Sequence, residues 1–127
     1  MPCIDEARRV FIVEDEPLLV MNLEDMLDEL GHQVTAVATR IDEALEKAGG
    51  GGFDLAFLDI NVAGAKTFPV ADILRKRGIP FIFTSGYGAH GLIDGYHSAH
   101  LLTKPFDVKE LDTMIARALS ADAAQRP

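Results

Sequence analysis

The sequence predicts an α/β domain: a doubly wound, five-stranded parallel sheet with helices on both faces. Three observations carry this expectation. Short apolar, β-branched runs alternate with segments whose apolar residues recur at helical spacing. The short runs are apolar at nearly every position, as strands covered on both faces are. The connections between them are short, and crossovers of this kind are right-handed.

Residues 10–13 (Val10-Phe11-Ile12-Val13) form the first strand, which stops at Glu14, Asp15 and Glu16. Pro17 suits the first turn of a helix. Leu19, Leu23, Met26, Leu27 and Leu30 follow as its apolar stripe, and Gly31 is its stop. Residues 34–38 are the second strand and residues 41–48 the second helix, ended by the glycines at 49–52. Those glycines precede a strand and lack a following Lys-Ser/Thr, so they are a plain connection and not a phosphate loop. Residues 55–58 are the third strand, ending at Asp59. A third helix spans residues 67–77, with Pro69 in its first turn and Gly78 as its stop. Pro80 leads into a fourth strand over residues 81–83, and residues 99–103 form the fifth. Between these two strands lie Gly86, Gly88, Gly91 and Gly95. Each glycine costs a helix about 1 kcal/mol relative to Ala, so the fourth helix is expected to be short or weakly held, as switch elements are. Val108, Leu111, Ile115 and Leu119 give the last helix its stripe, and the tail from Ser120 is expected to fray. The chain reads as one domain over residues 1–127, with a core at about 8–120.

Composition narrows the function classes. With 48% hydrophobic residues the chain is globular. Its 20 acidic and 12 basic residues leave a net charge of −8, which argues against nucleic acid as the partner. A lone Cys3 excludes an internal disulfide framework and fits a reducing compartment. No signal peptide is legible at the start, and no apolar run approaches the ~18–20 residues that span a bilayer. A cytoplasmic protein without a membrane partner is expected. The acid is unevenly spread: residues 1–62 hold 14 acids and four bases, the rest six acids and eight bases. Glu24, Asp25, Asp28 and Glu29 read as a solvated helix face, whereas Glu14, Asp15 and Glu16 interrupt the end of a buried strand.

Ligand sites in open α/β sheets form at the carboxyl ends of the strands. Glu14 and Asp15 follow the first strand, Asp59 the third, Thr84 and Ser85 the fourth, and Lys104 and Pro105 the fifth. Three carboxylates, two hydroxyls and a lysine therefore converge on one edge. Two carboxylates ~4 Å apart repel by about 4 kcal/mol at an effective dielectric near 20, so such a cluster wants a cation or a proton. Hard oxygen donors of this kind suit Mg²⁺. A lysine suits a phosphoryl oxygen. A carboxylate between the two is a nucleophile toward phosphorus, and a nearby hydroxyl can donate to the new phosphoryl group. The pattern points to an aspartyl-phosphate site.

These residues resemble the bacterial response-regulator receiver domain over essentially the whole chain. The resemblance is carried by Glu14-Asp15, the run Phe57-Leu58-Asp59-Ile60-Asn61, Ser85, and Lys104-Pro105-Phe106. It implies a flavodoxin-like sheet in the order 2-1-3-4-5 with five helices. It implies a phosphorylation-dependent switch of a two-component system, and no enzyme beyond its own phosphorylation and dephosphorylation. Asp59 matches the phospho-acceptor. Asp15 matches a direct Mg²⁺ ligand, Glu14 one acting through water, and Asn61 the position whose main-chain carbonyl ligates the metal. Ser85 matches the hydroxyl that senses the phosphoryl group, and Lys104 the lysine that pairs with it, before a bond to Pro105 that is usually cis. The implied partners are a histidine kinase or histidine phosphotransfer protein and an unknown downstream protein.

The chain departs from that pattern in two places. Val62-Ala63-Gly64-Ala65 stands where Met-Pro and Asp-Gly are usual. Leu101 stands where an aromatic switch residue is usual. The run Phe83-Thr84-Ser85-Gly86-Tyr87-Gly88 resembles the Phe-Ala-Thr-Gly-x-Tyr subgroup of alphaproteobacterial single-domain receivers, so Tyr87 or its loop is expected to take over switching. No DNA-binding or enzymatic domain is expected beyond residue 121, so output is expected through protein contacts, by population shift. Two alternatives stay open: a receiver-like module acting without phosphorylation, and an aspartyl-nucleophile phosphohydrolase. The latter wants a second Asp where Asn61 stands. A flavodoxin-like cofactor binder is disfavoured, because Glu14, Asp15 and Glu16 would repel its phosphate. His90, His97 and His100 lack the spacing of a transition-metal site and read as surface residues.

Overall fold

The computed structural model describes residues 7–86, 92, 95–96 and 99–125. Five parallel strands build the sheet: β1 (Arg9–Val13), β2 (Gln33–Ala38), β3 (Leu55–Asp59), β6 (Phe81–Ser85) and β7 (Leu101–Thr103). Their spatial order is β2-β1-β3-β6-β7. Counting only these five, that is the expected order 2-1-3-4-5. Two further strands, β4 (Asn61–Val62) and β5 (Ala65–Lys66), form a separate antiparallel hairpin just after β3. The helices are α1 (Pro17–Glu29), α2 (Ile41–Ala48), α3 (Phe68–Lys76) and α4 (Val108–Gln125).

Side-chain alternation along each strand sorts the core into two layers. Val10, Ile12, Leu55, Phe57, Ile82 and Leu102 point to one face, where Leu23 and Leu27 of α1 and Leu111 and Ile115 of α4 cover them. Phe11, Val13, Ala56, Leu58 and Phe83 point to the other, under Ala44 and Ala48 of α2 and Val70, Ala71 and Leu74 of α3. Both faces are sealed, which is why the strands read as continuous apolar runs. Gly31, at φ 88°, closes α1 in the left-handed conformation that glycine adopts without steric cost.

The last helix is assigned past Ser120 to Gln125, through Ala121, Ala123 and Ala124, which are strong helix formers. The hairpin was not anticipated. Its turn has positive φ at both central residues, Ala63 (51°) and Gly64 (84°), the combination that matches strand twist in a two-residue hairpin. Most of the stretch expected to hold the fourth helix, between Gly86 and Gly95, lies outside the described residues, as do Tyr87, His90, His97 and Cys3.

Candidate functional site

Asp59 and Ser85 end β3 and β6, and Glu14 comes directly after β1, where the apolar rows of the sheet give out. Glu14 follows the β1 row Val10, Ile12, while Asp59 continues the β3 row Leu55, Phe57. The Lys104 Nζ lies between them, donating to Glu14 Oε1 at 3.0 Å and Asp59 Oδ2 at 3.1 Å. The side chains are 6%, 13% and 19% exposed for Glu14, Asp59 and Lys104, so this triad is largely shielded from water. The main chain fixes Glu14 and Lys104. The Glu14 N–H donates to the Ala38 carbonyl, and the Lys104 N–H to the Ser85 carbonyl. The Lys104–Pro105 bond is cis, as the resemblance implied.

Remaining carboxylate lone pairs are met locally. Glu14 Oε2 accepts from the Glu16 N–H at 3.3 Å, and Asp59 Oδ1 from the Asn61 N–H at 3.4 Å. Asp15 Oδ2 accepts from the Ala63 N–H at 3.0 Å, which ties the hairpin turn to the end of β1. Thr67 Oγ1 donates to the Asp59 carbonyl at 2.7 Å, closing the base of the hairpin.

Electrostatics follow from burial. Desolvation pushes the Glu14 carboxyl above its ordinary range, and the charge of Asp59 adds to this, while the Lys104 ammonium opposes it. Burial alone would lower the Lys104 ammonium. Its bonds to Glu14 and Asp59 outweigh that and hold it above its ordinary value.

Carboxylate oxygens of Glu14, Asp15 and Asp59 all lie within 4.8 Å of one another. Three hard oxygen donors converging on one point fit a divalent cation such as Mg²⁺. The cluster opens into a cavity of about 480 Å³ lined by Asp15, Asp59, Asn61, Lys66, Ser85 and Lys104 among others. A second cavity, of about 260 Å³, lies on the α1 side and is walled by Glu14, Leu19, Met26, Thr84 and Phe106 among others.

Thus Glu14, Asp15, Asp59 and Lys104 form one cluster, with Asn61 and Ser85 on its rim. Ser85 is buried. Leu101 is half-buried opposite Phe83 and packs on the α2/α3 face. Tyr87 lies outside the described residues.

Sequence reasoning missed three residues here. Lys66 was passed over because the hairpin that carries it was not foreseen; the Ala-Gly pair at 63–64 was the available signal. Thr67 was read only as a helix start, yet its hydroxyl grips the end of β3. Tyr96 was not singled out. It is buried among Phe68, Phe81 and Phe83, with centroid separations of 5.2, 6.4 and 5.7 Å. Its hydroxyl donates to Asp72 on α3, and the Arg75 guanidinium lies 4.1 Å from its ring centroid. Burial, with Asp72 adding to it, pushes the Tyr96 hydroxyl up to about 12. Arg75 also donates to the Gly95 carbonyl at 3.0 Å, so α3 holds the β6–β7 connection at two adjacent residues.

Residues 10–116 match the response regulator receiver domain family. The phyllosphere-induced regulator PhyR of Methylorubrum extorquens is 33% identical over 119 residues, covering 91% of this chain and 45% of PhyR. The transcriptional regulatory protein PdtaR of Mycobacterium tuberculosis is 32% identical over 117 residues, covering 89% of this chain and 57% of PdtaR. The chain spans about half the length of the curated relatives it matches. Among solved structures, SdrG from Sphingomonas melonis superposes with a TM-score of 0.77 at 36% identity, covering 92% of this chain and 97% of SdrG. The PhyR receiver domain of Erythrobacter litoralis gives 0.77 at 35% identity, covering 90% and 91%.

Proposed function

The chain belongs to the response regulator receiver family, and from that premise we propose a phosphorylation switch whose acceptor is Asp59. One observation carries the reading: a shielded lysine bridges two carboxylates that share their oxygen cluster with a third. Asp59 is the carboxylate that both touches Lys104 and lines the open cavity.

In this reading a histidine kinase or histidine phosphotransfer protein is the donor. An Asp59 carboxylate oxygen bonds to phosphorus, the P–N bond breaks, and the histidine nitrogen keeps the electron pair and takes up a proton. Bound between Glu14, Asp15, Asp59 and the Asn61 carbonyl, Mg²⁺ would neutralise the carboxylates and the phosphoryl oxygens. Lys104, already on Asp59, pairs with a phosphoryl oxygen. The Ser85 hydroxyl donates to another and reports its arrival. The phosphoryl group brings nearly two negative charges, and signalling follows as a shift between two states read by a downstream protein. Exposed Leu18 and Met21 on α1 lie on the same helix as Leu19, which lines both cavities, and give a docking protein an apolar contact. No helix of the described residues is long and apolar enough to cross a membrane.

The test is incubation of the chain with acetyl phosphate and Mg²⁺, read by intact mass. Wild type gains the mass of one phosphoryl group and Asp59→Asn gains none. An unmodified wild type overturns the reading.

A further inference from the structure

We propose that Lys66 is a second cation of this site, held at its mouth to attract and contact the incoming dianionic phosphoryl group; this deepens the acceptor reading and rests on it.

Three features of the hairpin converge on Lys66. Asn61 and Lys66 are register partners across β4 and β5, and directly opposed residues of an antiparallel pair share a face. Both line the cavity that contains Asp59. The hairpin is pinned at both ends. At its turn the Ala63 N–H donates to Asp15 Oδ2 at 3.0 Å, with Ala63 in a left-handed conformation that is uncommon outside glycine. At its base, one residue beyond Lys66, the Thr67 N–H donates to the Ile60 carbonyl at 3.0 Å and the Thr67 hydroxyl to the Asp59 carbonyl. The backbone of Lys66 is therefore fixed relative to the acceptor.

Charge accounting gives this placement its meaning. Among the described residues, the cavity wall includes the acids Asp15, Glu16 and Asp59 and two cations, Lys104 and Lys66. Lys104 is committed to Glu14 and Asp59. Lys66 is exposed and makes no ion pair or side-chain hydrogen bond among the described residues. A phosphodonor entering an acidic mouth meets repulsion, and a fixed cation at the rim raises its local concentration and encounter rate. Lys66 makes no covalent bond. With acetyl phosphate, an Asp59 oxygen bonds to phosphorus, the P–O bond to the acetyl group breaks, and acetate leaves with the electron pair, so no proton is required.

The experiment compares wild type with Lys66→Arg, Lys66→Gln and Lys66→Glu, by phosphorylation rate with acetyl phosphate and by Mg²⁺ affinity from NMR titration. Lys66→Arg should retain the rate, Lys66→Gln should lose a few-fold, and Lys66→Glu about tenfold. The differences should shrink as salt is raised, because an exposed charge is screened within ~10 Å at 0.1 M. Lys66→Glu should also bind Mg²⁺ more tightly, since added negative charge repels the phosphodonor and attracts the cation. A merely structural role would weaken both. Equal rates for wild type and Lys66→Glu, or a parallel loss of rate and Mg²⁺ affinity, overturn the inference alone. A wild type that gains no phosphoryl group overturns the acceptor reading and this inference with it.

Discussion

At the amino end of the sheet, Arg9 meets Asp54 at 2.9 Å; at the carboxyl end, Lys104 meets Glu14 at 3.0 Å and Asp59 at 3.1 Å. By distance the two ends are alike. Their exposure separates them. Arg9 and Asp54 are 54% and 33% exposed, whereas Lys104 and Glu14 are 19% and 6%. A solvated pair exchanges water contacts for protein contacts of nearly equal worth. A shielded pair pays desolvation and is held only because each charge depends on the others. Burial, not contact distance, separates the two ends: it couples the charges at the carboxyl end and leaves those at the amino end solvated.

The largest expected effect breaks the carboxyl end. Lys104→Met keeps the aliphatic stem and removes the ammonium, leaving Glu14 and Asp59 to face each other unopposed. In metal-free buffer its stability should fall by about 1–3 kcal/mol, read as the shift in urea midpoint at constant slope. An unchanged midpoint would mean that the shielded triad is no more coupled than a surface pair.

Asp54→Asn makes the matching cut at the amino end. It removes the carboxylate that accepts from both the main chain and the guanidinium of Arg9. The same unfolding measurement should show a loss of no more than about 1 kcal/mol. A loss equal to that of Lys104→Met would erase the distinction between the two ends.

The smallest effect is a pH dependence, also at the amino end. The Arg8 N–H donates to His32 Nδ1 at 3.0 Å, a bond that requires the neutral ring. Burial holds the His32 imidazole below its ordinary value. The folded value lies below the unfolded one, so the unfolded chain binds more protons as acid is added. The stability this bond contributes is present above pH ~6.5 and is lost as pH falls below it. Comparing wild type with His32→Gln at pH 7.5 and 5.5 should show the wild type losing more. Equal losses would show that His32 is not protonation-linked to folding.

Much of the carboxyl end was legible in advance, and the Arg9–Asp54 pair at the amino end was not. The abrupt change from Val13 to Glu14, and from Leu58 to Asp59, marks where strands leave the core, because a carboxylate cannot follow the apolar row under the helices. Lys104-Pro105 marks the fifth strand end in the same way. Ala63-Gly64 was harder to read. An Ala at positive φ contradicts local preference, and it persists here with its N–H on Asp15, 48 residues away. Tyr96 was hidden for a similar reason: its partners, Phe68, Phe81, Phe83, Asp72 and Arg75, come from two other elements. Leu101 shows the converse. The missing aromatic was visible at that position, but that Tyr96 packs against Phe83, the register partner of Leu101, was not.

The sequence by itself determined the alternation of strands and helices, the sealing of both sheet faces, and which polar residues stand at the strand ends. Those are local properties: periodicity and turn chemistry act over a few residues. Only the tertiary structure decided that Lys104 reaches Glu14 and Asp59 together, across sequence separations of 90 and 45 residues. It alone folded residues 61–66 into a hairpin that brings Lys66 to the same cavity. The physical reason is that strand order and register set which chain ends become neighbours, and burial then sets how strongly their charges are felt.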